Sequence, residues 1–365
     1  MTADASFTFV MAGGGTGGHV VPLVAVAREL VKRGLKVLFF GTRAGSEAKL
    51  VPAAGFEIEW IEIGGLKRVS WRRFLETMWQ LPLATWRVFR RLGSVRPAAV
   101  FSMGGFAAGP VVLAALARRL PVVIMEPNAM PGFTNRAIGR WVERALLGMR
   151  EAERFFPAGR GEVTGVPVRD AFFQLAPKAA EAELTVLITG GSQGSRTLNE
   201  AFRGSWPLFR EAALPVRFIH QCGAAAAGGL EAGFAASGLR GEVQAFLPDM
   251  PAAFARADLV VGRAGANATA ELCAAAKPSV LVPFPYAADD HQRKNAQALA
   301  SGGAARLVPD AEMNGQRLFY EVQYFSAHRE ELARMSASAK AMAKPGAAQR
   351  AAEVLENAAR RRFAG

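Results

Sequence analysis

Clusters of glycine are the first chemistry this chain offers. GGGTGGH at 13–19 and GGSQGS at 190–195 each follow an apolar run and precede a helical pattern. Small residues ahead of a helix leave its first backbone N–H groups open to an oxyanion, and the helix dipole favours negative charge there. Both segments therefore suit a phosphate. Gly13, Gly15 and Gly18 also satisfy GxGxxG, the dinucleotide pattern. That pattern further asks for an acidic residue closing the second strand, to hold a ribose. Here the strand ends Phe39-Phe40-Gly41-Thr42-Arg43, with no carboxylate, although Arg43 keeps an NADP-linked reductase as an alternative. The Walker pattern is absent.

His19 stands at the mouth of the first turn, close to where open α/β sheets bind ligands. An imidazole titrates near neutrality, so it suits a general base that activates a hydroxyl; a ring that merely caps the turn fits equally well. The third glycine-rich turn, 102–110, holds Gly104 and Gly105. It serves either close helix–sheet packing or a second phosphate site, for an acceptor that itself carries phosphate. Glu271 falls in the first two turns of a helix that follows Arg263-Ala264-Gly265, where a carboxylate offsets the dipole or accepts two ribose hydroxyls. Asp289, Asp290 and His291 hint at a metal, but no second histidine lies at ligand spacing, and no metal is expected.

A chain of 365 residues, 51% apolar, is long enough for two cores, and its formal charge of +13 calls for an anionic partner. Nucleic acid, acidic lipid and phosphate-bearing substrates all qualify. Residues 67–91 concentrate seven bases, Lys67, Arg68, Arg72, Arg73, Arg87, Arg90 and Arg91, against the single acid Glu76. Trp71, Leu75, Trp79, Leu83 and Trp86 are interleaved with them, and Pro82 interrupts the stretch. An amphipathic segment on an anionic membrane fits, with indoles at headgroup depth and arginines paired to phosphates. A core helix with a basic outer face fits as well. Single-stranded nucleic acid uses similar residues, but no nucleic-acid motif accompanies them.

Cys222 and Cys273 have no CxxC spacing, and residues 1–6 do not begin an export signal, so a reduced cytoplasmic protein is expected. The twenty uncharged residues 98–117 imitate a membrane span, but Gly104, Gly105, Gly109 and Pro110 break them into a strand, a turn and a helix.

These residues need strands that end at the glycine turns. Apolar and β-branched runs at 7–12, 37–41, 99–103 and 122–125 recur in kind at 185–189, 216–220, 259–261 and 280–283. Helical patterns such as 22–33 and 198–209 alternate with them, which implies two tandem αβ units with parallel sheets. The boundary is placed near residue 170, with 175–183 as linker. Spacing leaves the last helix, 347–362, free to close the second unit or to return to the first.

Taken in order, GGGTGGHVVP, SMGGFAAGP, EPNAMPGFTN, GVPVR, GGSQGSRTLN, GRAGANATAELCAA and DDHQRKNA resemble the family of UDP-N-acetylglucosamine:lipid-linked muramoyl-pentapeptide N-acetylglucosaminyltransferases of peptidoglycan synthesis. The resemblance covers nearly the whole chain. It implies the GT-B form of the α/β class: two Rossmann-like domains with parallel sheets facing across a cleft. On that reading residues 1–170, with 345–365, face acceptor and membrane, and 171–344 bind UDP-GlcNAc. It implies inverting transfer without an essential metal or other cofactor, to undecaprenyl-diphospho-muramoyl-pentapeptide (lipid I), giving lipid II. The expected place is the cytoplasmic face of the inner membrane, peripherally, with cell-wall synthesis proteins as candidate partners.

By motif match, Thr16, Gly17 and Gly18 approach the donor and Asn128 binds its sugar. Arg169 and Ser192 lie by the diphosphate, Leu247 faces uracil, Glu271 grips the ribose and Gln292 contacts sugar hydroxyls. Gly14, Gly15, Gly104 and Gly105 would take the acceptor diphosphate. His19 is the expected base, with Glu126 as a rival. Trp71, Arg72, Arg73, Leu75, Trp79, Trp86, Arg87 and Arg90 would meet the membrane. Val166 and Pro127 depart from the asparagine and glutamine usual in the family. A noncatalytic nucleotide-sugar or membrane-binding protein is the further alternative.

Overall fold

A computed structural model describes residues 7–63, 71–179 and 181–364, with the side chains of 71–78 and 364 excepted. The chain forms two compact units, Met1–Val168 with Gly346–Gly365, and Arg169–Pro345.

The first unit is built on seven strands: β1 (Thr8–Ala12), β2 (Lys36–Gly41), β3 (Ile58–Trp60), β4 (Ala99–Ser102), β5 (Val122–Glu126), β6 (Arg144–Leu147) and β7 (Gly161–Val163). They run parallel in the order β3-β2-β1-β4-β5-β6-β7. The second unit has β8 (Leu184–Thr189), β9 (Val216–Gln221), β10 (Arg240–Gln244), β11 (Leu259–Gly262), β12 (Ser279–Leu281) and β13 (Ala305–Leu307). Their order, β10-β9-β8-β11-β12-β13, repeats the first pattern, again all parallel. Each is the doubly wound Rossmann arrangement, whose strand order reverses beside its first strand. That switch point lies between β1 and β4 in one unit, and between β8 and β11 in the other. All four glycine-rich turns leave the C-terminal ends of these four strands, the place where such sheets bind ligands.

The sheets are covered as buried parallel strands require. On one face of the first sheet, the helix Gly17–Lys32 packs with the last helix, Ala347–Ala364, through Val20, Leu23, Val26, Leu30, Ala351, Leu355 and Ala359. The last helix therefore belongs to the first unit, a point its spacing left open. The other face takes the helices Trp71–Val95 and Gly109–Ala117. In the second unit a phenylalanine cluster, Phe202, Phe209, Phe218 and Phe234, joins the helix Arg196–Ala212 to β9.

Two expectations are corrected. The first long helix does not start at Pro22 but at Gly17, with Pro22 inside it, so Gly17, Gly18 and His19 occupy its first turn. A proline in the second turn loses one intrahelical bond without breaking the helix, because buried side chains on both sides hold it. The stretch around Pro82 is likewise one helix, Trp71–Val95, and Thr85 Oγ1 donates to the Leu81 carbonyl (2.7 Å) beside the proline. Strands β3, β6, β7, β10 and β13 have no counterpart in the sequence reading; each is short or opens on charged or small residues. Among the described residues, no helix is long and apolar enough to cross a membrane.

Candidate active site

In the first unit the two glycine turns meet at His19. A Cβ built on Gly105 would lie 3.3 Å from the Gly14 carbonyl oxygen and 3.5 Å from His19 Nδ1, and one on Gly15 would lie 3.3 Å from the Phe106 ring. Gly104 and Gly105 both take φ near +80°, where side chains other than glycine's are strained. Gly104 N–H donates to Ser102 Oγ (3.0 Å), which shapes the turn as it leaves β4. His19 Nδ1 lies 3.1 Å from the Gly14 carbonyl oxygen. A carbonyl only accepts, so Nδ1 carries a hydrogen, and in the neutral ring Nε2 then holds the lone pair. That is the tautomer a base acting through Nε2 needs. Thr16 is the helix N-cap in extended conformation, its hydroxyl makes no capping bond, and the first turn contains no acid. The positive end of the dipole is therefore not neutralised from within the helix.

A carboxylate does support this turn, and sequence reasoning missed it. Glu47, at the start of the helix Glu47–Ala53, is 1% exposed. Its Oε2 accepts the Gly15 N–H (2.8 Å), and its Oε1 accepts the Thr42 N–H (2.9 Å) and hydroxyl (2.7 Å). Gly15 thus has no N–H to offer an acceptor diphosphate, a correction to its expected role; what Gly14 and Gly15 contribute is close approach. Glu47 is also consumed by these bonds, so it is no substitute for the ribose-binding acid of dinucleotide enzymes. Arg43, on which the NADP alternative rested, stacks on Trp60 with Cζ 4.8 Å from the ring centroid.

Glu126, at the end of β5, is 2% exposed, and it accepts from Asn128 N (2.9 Å), Asn128 Nδ2 (3.1 Å), Gly132 N (2.9 Å) and Asn135 Nδ2 (3.0 Å). Four donors, three from the loop after β5 and one from the helix Phe133–Ile138, saturate a carboxylate. Glu126 therefore organises the loop that carries Asn128, and its rival claim to the base is withdrawn. Pro127 and Val166, the two departures from the family pattern, converge on Gly148, where a Cβ would lie 2.5 Å from the Pro127 carbonyl oxygen and 2.7 Å from Val166 Cγ2.

In the second unit, Ser192 is exposed on the turn between β8 and the helix Arg196–Ala212, whose N-cap Ser195 accepts the Leu198 N–H (3.3 Å). The turn is held by backbone contact: a Cβ on Gly194 would lie 2.0 Å from the Cys222 carbonyl oxygen. Gln221, buried and also missed, ties it to the next loop, its Nε2 donating to the Gly191 carbonyl (2.9 Å) and its Oε1 accepting the Leu247 N–H (2.9 Å). The Leu247 side chain is buried, and the exposed group beside it is Phe246.

Glu271 sits on the helix Ala266–Ala274, and burial pushes its carboxyl up to about 7 against the opposing pull of the Arg169 guanidinium. Arg169 caps the short helix Asp170–Phe173 and is itself exposed. Gln292 Oε1 accepts the Phe284 N–H (3.0 Å), which leaves its amide NH2 as the group to meet a ligand. Arg263 donates to the carbonyls of Val282 (3.0 Å) and Pro283 (3.2 Å) and pairs with Asp310, which fixes the start of the turn leading into the helix Ala266–Ala274. His220 is buried and uncharged, held down to about 3 by desolvation. Among the described residues no group of His, Cys, Asp or Glu is arranged to hold a metal.

On the surface helix Trp71–Val95, Ala84, Val88 and Leu92 are buried, while Trp79, Leu83 and Trp86 are about half exposed or more. Arg87 pairs with Glu62 (2.6 Å), and Arg90 lies over the Trp86 ring. The side chains of Trp71, Arg72, Arg73 and Leu75, and residues Lys67 and Arg68 altogether, lie outside the described residues.

Twin Rossmann sheets with glycine turns at both switch points, one followed by His19 and the other by Glu271 within electrostatic reach of Arg169, form the GT-B fold of nucleotide-sugar enzymes. The profile of the glycosyltransferase family 28 N-terminal domain matches residues 9–147, and that of its C-terminal domain matches 185–351. A relative from Solibacter usitatus, named UDP-N-acetylglucosamine--N-acetylmuramyl-(pentapeptide) pyrophosphoryl-undecaprenol N-acetylglucosamine transferase, is 59% identical over 97% of this chain and 96% of its own. One of the same name from Myxococcus xanthus is 39% identical over 94% of this chain and 91% of its own. The crystal structure of Acinetobacter baumannii MurG superposes with a TM-score of 0.82 at 31% identity, covering 96% of this chain and 99% of that one. The chain belongs to this family of N-acetylglucosamine transferases.

Proposed function

We propose that this protein transfers N-acetylglucosamine from UDP-GlcNAc to the 4-hydroxyl of a muramoyl-pentapeptide carried on undecaprenyl diphosphate. The observation that carries the reading is the 59% identity, over 97% of the chain, to a relative named for that activity. Family membership removes the reductase alternative.

The acceptor hydroxyl attacks the anomeric carbon of GlcNAc on the face opposite UDP. Its proton passes to Nε2 of His19, whose other nitrogen is engaged by the Gly14 carbonyl. The bond from the anomeric carbon to the diphosphate oxygen breaks with its electron pair leaving on UDP, and configuration inverts. Negative charge grows on the diphosphate in this step. Arg169, Ser192 and the start of the helix Arg196–Ala212 oppose that charge more strongly in the transition state than in the ground state. Glu271 accepts the ribose hydroxyls, and the Gln292 amide and Asn128 meet the sugar. The exposed Trp79, Leu83 and Trp86 rest on an anionic cytoplasmic membrane surface, where the acceptor resides.

The decisive experiment measures UDP release from UDP-GlcNAc with and without a lipid I analogue, alongside calorimetry with UDP-GlcNAc and NADPH. Release only when the acceptor is present, with UDP-GlcNAc bound and NADPH not, is expected. NADPH binding, or no transfer to the acceptor, would overturn the reading.

A further inference from the structure

Gly14 C=O and Gly15 N–H are the two ends of a single peptide plane, and each is claimed by a different side chain. Glu47 Oε2 accepts the N–H at 2.8 Å, and His19 Nδ1 donates to the C=O at 3.1 Å. We infer that Glu47 is a positioning residue for the transfer reaction, acting on His19 through the Gly14–Gly15 peptide.

A carboxylate that accepts a peptide N–H shifts electron density toward that peptide's carbonyl oxygen, and bonds so linked reinforce one another in a poorly hydrated site. The Gly14 oxygen is then a better acceptor for Nδ1–H. It holds the ring in one tautomer and places partial negative charge behind it as Nε2 takes the acceptor's proton. A carboxylate bonded directly to a histidine does the same task; here one peptide is interposed.

The surroundings are shaped for this carboxylate. A Cβ on Gly14 would lie 2.2 Å from Glu47 Oε1, one on Gly45 would lie 2.0 Å from Oε2, and one on Gly41 would lie 2.6 Å from Cγ. Three glycines thus wrap a side chain that no cation neutralises through a salt bridge among the described residues. Both donors from Thr42 occupy Oε1, which leaves Oε2 to the Gly15 N–H. A glutamine offers only one acceptor oxygen and turns an NH2 toward one of these donors.

The inference rests on His19 being the base, and the test separates the two. We expect Glu47→Gln to lower kcat for transfer to a lipid I analogue about 10-fold to 100-fold, the range for partners that orient a functional histidine, with little change in KM for UDP-GlcNAc. Introduced into His19→Ala, it should add nothing further, because the two groups act as one unit. Nitrogen NMR of the unmodified protein, with His19 assigned by its loss in His19→Ala, should find the proton on Nδ1, and Glu47→Gln should redistribute it toward Nε2. Glu47→Asp, which keeps a carboxylate, should recover part of the kcat.

If His19→Ala turns over normally, the base assignment falls first. If His19→Ala is impaired but Glu47→Gln multiplies the loss independently, or leaves kcat and the spectrum unchanged, the relay is overturned. A proton found on Nε2 in the unmodified protein overturns it even where a variant fails to fold.

Discussion

His19 and Glu271 represent two ways a side chain is prepared for work. His19 is prepared by a partner: the Gly14 carbonyl fixes which nitrogen is protonated. Replacing it with alanine should lower kcat about 100-fold to 10,000-fold, the usual contribution of acid–base catalysis. Donor Kd from calorimetry should hardly move. Glu271 is prepared by burial, which lifts its carboxyl to about 7. In the folded protein it keeps a proton that the unfolded chain releases near the ordinary carboxylate value. Its contribution to stability is therefore present at low pH and is lost as pH rises from about 4.5 to about 7. Glu271→Gln should flatten that slope in denaturation curves.

Ribose hydroxyls donating to the ionised carboxylate would favour it, so UDP binding near pH 6 should release protons from Glu271, and binding above pH 8 should not. Calorimetry in buffers of different ionisation enthalpy reads that release directly; a proton count near zero at pH 6 would remove Glu271 from the ribose site. Both residues are candidates from the sequence alone, since each follows a glycine turn. Glu47 and Gln221 are not. Glu47 resembles an ordinary acid in a helix's first turn, and Gln221 the last residue of a strand; only the return of a distant loop gives each its partner.

At the scale of elements, periodicity was a good guide wherever a strand was mainly apolar and buried. Strands β1, β4, β5, β8 and β11 appear close to where hydrophobic runs placed them, and the turns that matter leave four of these five. The edge strands β7 and β10 are half polar, Gly161–Val163 and Arg240–Gln244, because edge positions bury less, so alternation faded there. The helix Trp71–Val95 has two faces with separable duties. Leu92, 1% exposed, anchors it, and Leu92→Ala should cost about 2–5 kcal/mol in chemical denaturation. Trp79 is 80% exposed, so Trp79→Ala together with Trp86→Ala should leave stability almost unchanged. The same pair should weaken sedimentation with anionic vesicles, most visibly in low salt. Retention on vesicles at matched salt would assign this face another task. Arg87 should matter less than its charge suggests, since Glu62 already pairs with it.

At the scale of the molecule, the same strand order appears twice, and that duplication was visible as a repeat of strand, glycine turn and helix. Spacing alone left the ownership of the last helix open, because an amphipathic helix fits either sheet, and only the family resemblance assigned it to the first unit. Its apolar face, Ala351, Leu355, Ala358 and Ala359, completes the core around Val20, Leu23 and Leu30. A chain ending at Pro345 should lose the cooperative melting of the first unit. The second unit should still melt as one and still gain stability from UDP-GlcNAc, as differential scanning calorimetry would register.

That returning helix also reverses the order of events during synthesis. A ribosome delivers 168 residues of the first unit before it begins the second, yet the nascent first sheet lacks one of its covers until residues near 359 have emerged. The second unit has everything it needs earlier. The half made first is therefore the half finished last, and the apolar strip left open beside the helix Gly17–Lys32 is the surface a chaperone would meet on this chain.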